Sequence, residues 1–142
     1  MRNIPNSQVR KQGKKELRAL FKTLRFVDGL TAEQESVAIK PDDFVYYYNK
    51  ARDGKLGNYI VYEVIASEPT RRADDKVIGR EFYAQVDIFS TSSFESKLLT
   101  ETLAKLEEKL TDAGFTVDAR DEDYEADTRL YHQVYFIAKN YY

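Results

Sequence analysis

The chain of 142 residues has no cysteine, no tryptophan, one histidine, one methionine, three prolines and six glycines. Each shortage closes off a class of chemistry. Without cysteine there is neither a disulfide scaffold nor a thiolate metal site. Neither is required at this length, where a single domain buries roughly two-thirds of its extended-chain surface. One histidine and no cysteine remove the familiar His/Cys nucleophile and zinc arrangements. The scattered glycines form no G-x-x-x-x-G-K or G-x-G-x-x-G phosphate cradle, and no serine sits in G-x-S-x-G. No apolar run approaches the roughly 18 to 20 residues of a membrane-spanning helix. The basic N-terminus lacks the apolar stretch of a secretory signal. The expectation is one domain, 1–142, made in the cytoplasm, with no enzymatic activity, cofactor, metal or membrane partner.

Tyrosine (11), phenylalanine (8) and charge are abundant. Tyrosine combines an apolar body with a polar tip and suits interfaces and half-exposed sheets. The net charge of −2 is unevenly spread. Residues 1–27 carry eight Lys/Arg and one acid, whereas residues 94–128 carry four Lys/Arg and eleven acids. Such poles are either solvated faces or the means by which copies attract one another head to tail.

Hydrophobic periodicity places the elements. Residues 81–89 alternate, with Phe82, Ala84, Val86 and Ile88 on one face, the period of a half-buried strand. Ser92 with Glu95 reads as a capping box. Phe94, Leu98, Leu99, Thr102, Leu103, Leu106, Leu110 and Ala113 then recur at helical spacing, and Gly114 stands where a C′ glycine closes a helix. Residues 1–12 read as a mobile basic arm. Residues 14–27 read as a helix whose apolar stripe packs on a sheet, leaving Lys14, Lys15, Arg18, Lys22 and Arg25 as a basic face for a partner. Residues 44–49 and 59–66 predict a hairpin with a long polar tip. Residues 68–78 read as a charged loop, 115–119 as a short strand, 120–128 as an acidic loop and 129–138 as the last strand. This order predicts an α+β fold, a mainly antiparallel sheet of four to five strands with two main helices packed on one face.

No constellation for catalysis emerges. His132 shares a face with Leu130, Val134 and Phe136 and reads as a hydrogen-bonded sheet residue near a rim. Asp121, Asp123, Glu125 and Asp127 are spaced like calcium-loop ligands. Ala126 replaces the required glycine, however, and His132 the closing glutamate.

Gly57-Asn58-Tyr59-Ile60-Val61-Tyr62, the strand Arg80-Glu-Phe-Tyr-Ala-Gln-Val-Asp-Ile-Phe-Ser90, the helix closed by Gly114-Phe115, and Tyr124-Glu-Ala-Asp-Thr-Arg-Leu-Tyr-His132 follow one another in this order. Together they resemble the tail terminator (tail completion) family of long-tailed bacteriophages, over about residues 59–138. The basic arm and residues 28–43 depart from that family's compact pattern. The resemblance implies a virion protein at the tail–head junction. It would form a ring, usually of six copies, that caps the tail tube, stops its growth and offers a docking surface to the head connector protein. DNA would pass through the ring without specific binding. On this reading Arg71, Arg72, Asp74, Asp75, Asp53, Lys55 and Tyr59 are expected at contacts with the next subunit or the tube, and Asp121, Glu122 and Asp123 along the bore. The alternatives are a head-closure or connector ring, and a nucleic-acid-binding module using the basic helix 14–27.

Overall fold

A computed structural model describes residues 2–22, 24, 45–47, 59–90 and 93–142. Their elements are α1 (Asn6–Lys22), β1 (Val45–Tyr47), β2 (Tyr59–Ala73), β3 (Lys76–Ser90), α2 (Lys97–Asp112), β4 (Thr116–Glu125) and β5 (Leu130–Tyr141). The strands form one sheet in the order β1-β2-β3-β5-β4, in which β1 runs parallel to β2 and every other neighbour is antiparallel. This is the α+β architecture expected.

The core lies between one face of that sheet and both helices. The alternating residues Phe82, Ala84, Val86 and Ile88 of β3 are buried, as are Ile60, Tyr62 and Val64 of β2 and Tyr135 and Ile137 of β5. Helix α1 lays Val9, Leu17, Leu20 and Phe21 on this surface, and α2 adds Leu106 and Leu110 to the same cluster. Phe82 makes edge contacts with Phe115 and Tyr141 near the middle of the cluster. Burial pushes the Tyr135 hydroxyl well above the usual tyrosine range, and the nearby Glu107 carboxylate of α2, charged and hydrogen-bonded to it, pushes the same way.

Several sequence expectations are corrected. Of the expected mobile arm 1–12, residues 2–12 are placed: α1 starts at Asn6. Ahead of it, Ile4 N donates to Val77 O (2.7 Å) and Val77 N donates to Asn3 Oδ1 (3.0 Å). Arg80 clamps the same stretch, its Nε donating to Ile4 O (2.8 Å) and its Nη1 to Ser67 O (2.9 Å). The first turns of α1 escape notice because their inward positions are Val9 and Gly13, and a glycine adds nothing to an apolar pattern. A Cβ on Gly13 would lie 2.5–2.6 Å from three atoms of the Phe82 ring, so the ring rests directly on the helix backbone.

The predicted hairpin of 44–49 with 59–66 is a parallel pair instead, Val45↔Ile60 to Tyr47↔Tyr62, and parallel neighbours cannot be joined by a tight turn. The predicted loop 68–78 is the far half of a long β2–β3 hairpin. It turns at Asp74 and Asp75, whose φ values of 49° and 63° match the two left-handed positions of a type I′ turn. Pro69, which argues against a central strand, is accommodated where β2 has passed β1 and carries register shifts.

The cap of α2 is Ser96, whose Oγ accepts from Leu99 N (3.2 Å). Glu95 lies in the preceding turn, its N donating to Ser93 Oγ, and Ser92 lies outside the described residues. Phe94, expected in the helical stripe, instead meets Tyr131 edge-on. At the other end Gly114 has φ 93°, with Phe115 N bonded to Leu110 O and Gly114 N to Thr111 O. That is the Schellman closure expected of a C′ glycine. The predicted acidic loop 120–128 is largely strand: β4 continues to Glu125, and the turn to β5 occupies residues 126–129.

Candidate assembly surfaces

The sequence-nominated residues that are described fall into four places. Lys14, Lys15 and Arg18 lie on α1 and Lys22 ends it; Arg25, Asp53 and Lys55 lie outside the described residues. Arg71 and Arg72 sit on the far half of β2, and Asp74 and Asp75 form the turn beyond them. Tyr59 opens β2 opposite Phe89, at the other end of the hairpin. Asp121, Glu122 and Asp123 lie on β4, an edge strand of the sheet among the described residues. These places are not brought together. The register sets Asp121 beside Val134 and Val134 beside Asp87, about 11 residues along β3 from the hairpin turn, or roughly 35 Å at strand rise.

β4 owes its exposure to composition. Its ten residues include five acids and one arginine, and eight of the ten are exposed. Asp118, Asp121 and Asp123 stand opposite Phe136, Val134 and His132 and so share the sheet face turned away from the helices, while Glu122, opposite Gln133, is on the helix side. A bulge between Ala119 and Asp121 kinks the strand at Arg120. Arg120 pairs with Asp118 (2.7 Å) and covers the Phe136 ring. Buried Gln133 braces the bulge from behind, its Nε2 donating to Asp121 O (3.2 Å). The outer backbone of β4 hydrogen-bonds to no other described strand.

Helix α1 has two distinct sides. Val9, Gly13, Leu17, Leu20 and Phe21 face the core, and Lys11, Lys15 and Arg18 are exposed, flanked by half-buried Arg10 and Lys14. The single acid of the helix, Glu16, points the other way, into a polar hub. It accepts from Lys139 Nζ (3.0 Å), from Gln12 and, in a very short bond, from the Tyr141 hydroxyl. Lys139 also donates to Ala113 O (2.7 Å), so the hub ties α1, the end of α2 and β5 together. Burial pushes the Glu16 carboxyl up. The hydrogen bonds from Tyr141, Gln12 and Lys139, with the Lys139 charge, outweigh it and hold the group below its ordinary value. Burial, then the Glu16 partner, drive Tyr141 far above the usual tyrosine range.

Sequence reasoning missed the open face of the sheet, because strand pairing alone assembles it. His132 stacks on Phe89 at 4.1 Å, and its Nε2 lies 3.4 Å from Asp87 Oδ2, itself beside Gln85. That distance suits ion-pair attraction when the imidazole is protonated. The geometry is not a hydrogen bond, so buried Nε2 has no hydrogen-bond partner among the described residues. Tyr83 and Phe136 add exposed aromatic surface. Among the described residues no three His, Cys, Asp or Glu side chains are grouped to hold a metal ion.

No protein-family model matches the sequence, and no curated protein matches it.

Proposed function

We propose that this chain is a structural subunit that joins copies of itself head to tail into a closed ring. The resemblance in residues 59–138 makes that ring a tail terminator, which caps a phage tail tube at the junction with the head. It then presents a surface to the head connector and performs no chemical step. The observation that carries the ring is the unlike character of the two sides of the sheet. One side ends in the acidic edge strand β4, and the other carries the basic helix α1 over β2 and β3. Pairing β4 with β4 of a second copy would set five acids against five, and like charges directly opposed are destabilising. A two-fold contact through this edge is therefore disfavoured. A heterologous contact, in which one side meets a different side, closes into a ring when its rotation closes. The β2–β3 hairpin, whose far half runs on past the end of β5, supplies a projection to reach the tube.

Negative-stain imaging of the purified protein, alone and mixed with tail tubes, is the test. Closed annuli, free or at tube ends, are the expected result; neither under any condition removes the reading. A head-side connector ring is separated by co-purification, since a terminator accompanies tails that lack heads. The basic stripe of α1 also favours a nucleic-acid-binding reading, whose signature is DNA affinity that falls steeply with salt.

A further inference from the structure

We infer that the basic stripe of α1 docks on the β4 edge of the neighbouring copy. The inference rests on the ring reading and names its contact. The stripe repeats at helical spacing: Arg10, Lys14, Arg18 and Lys22 recur every fourth residue, with Lys11 and Lys15 beside them. On a helix these six cations span about 140° of the surface and about 18 Å of length. β4 offers acids from Asp118 to Glu125, seven steps of strand, or roughly 23 Å. Sign and approximate length therefore correspond.

The two surfaces do not meet within one chain. α1 packs over β2 and β3, and β4 lies beyond β5 at the far side of the sheet. Each copy thus presents a basic surface on one side and an acidic surface on the other, which orients the neighbour as well as attracting it. The side chains best placed for the contact are Lys11, Lys15 and Arg18 on one copy, and Asp121, Glu122 and Asp123 on the next, all exposed. The contact assigns that acidic trio to the junction between copies instead of the bore. Arg120, held by Asp118 against Phe136, leaves the trio unneutralised by a cation of its own strand.

The test uses the full chain in two charge-reversed forms. One carries Lys11→Glu, Lys15→Glu and Arg18→Glu; the other carries Asp121→Lys, Glu122→Lys and Asp123→Lys. Sedimentation velocity at low salt, with or without tube ends as template, reads association, and circular dichroism verifies the fold. Each form alone is expected to associate at least about tenfold more weakly than the unaltered chain, as the sum of several modest surface pairs lost and reversed. An equimolar mixture is expected to regain association, because the acidic helix of one form then meets the basic strand of the other. Misfolded variants would not complement in this way. If either form alone associates like the unaltered chain, the docking is wrong and the ring stands on another contact. If the unaltered chain never associates, the ring reading falls and the docking with it. A monomeric chain that binds DNA through a helix whose reversal abolishes binding assigns the stripe to nucleic acid and overturns the docking.

Discussion

Gly13 and Glu16, one turn apart on α1, show how single residues are decided by what they touch. In an isolated helix Gly→Ala is worth about 1 kcal/mol of stabilisation. Here the added methyl would enter the Phe82 ring at 2.5 Å, and that ring is fully buried against Phe115 and Tyr141. Overpacking of a rigid site costs about 1–3 kcal/mol. Gly13→Ala is therefore expected to lower the urea midpoint, and Phe82→Leu in the same chain to recover part of the loss relative to Phe82→Leu alone. A Gly13→Ala variant more stable than the parent would show that the ring does not lie there. Glu16 makes a separate prediction in pH. Its carboxyl is held below the ordinary value of 4.5 in the folded chain, so its contribution is complete above about that pH and is lost as acid takes the pH down through the folded value. Partial exposure screens the effect to under about 1 kcal/mol. Glu16→Gln is expected to reduce stability near neutrality and to flatten its fall between about pH 5 and 3, read from urea midpoints across that range. An unchanged acid slope would mean the hub with Lys139 and Tyr141 adds no charge-dependent stability.

At the level of elements, local signals and pairing divide the outcome between them. The β2–β3 turn asks for left-handed backbone at both Asp74 and Asp75, a conformation that costs ordinary residues about 1 kcal/mol each and that Asn-Gly adopts most readily. Replacing Asp74-Asp75 by Asn-Gly should raise the unfolding midpoint by the equivalent of about 1 kcal/mol, and a loss would show that the turn is of another type. Ser96→Ala should cost about 1 kcal/mol through the lost cap on α2, whereas Ser93→Ala, ahead of the helix, should cost less. Thermal unfolding of the two variants side by side checks this. Elements that carried their own signal were legible in the sequence: the alternation of β3, the stripe of α2 and the Gly114 closure. The missed ones draw their order from neighbours. The acids of β4 have no apolar alternation to show, because an edge strand exposed on both faces needs none. The far half of β2 is strand because β3 pairs with it, despite Pro69. Of the candidate surfaces, the charge poles were visible as composition. That Asp121, Glu122 and Asp123 stand on a strand edge, and that Asp87 meets His132, follow from register, which a single sequence does not display.

For the whole molecule, a net charge of −2 understates the electrostatics, because the basic helix α1 and the acidic strand β4 lie on opposite sides of the described sheet and, on the proposed docking, attract a neighbour in one orientation. Oriented attraction of this kind chiefly accelerates encounter, by a factor of about 10 to 1,000 at low ionic strength. Screening shortens its reach to about 10 Å at 0.1 M salt. Folding should be far less sensitive. Glu16–Lys139 is a partly sheltered ion pair, whereas Lys97–Glu101, Lys105–Glu108 and Arg120–Asp118 are exposed, and the core itself is apolar. Raising salt from about 20 to 200 mM is therefore expected to slow assembly at least about tenfold and to leave the thermal midpoint within about 2 °C. Light scattering after rapid mixing follows the first quantity and circular dichroism the second. Assembly that ignores salt would move the contact to apolar surface, of which the open sheet face with Tyr83 and Phe136 is the exposed example. Folding and assembly that weaken together would mean that the charged surfaces hold the subunit itself together and do not join it to its neighbour.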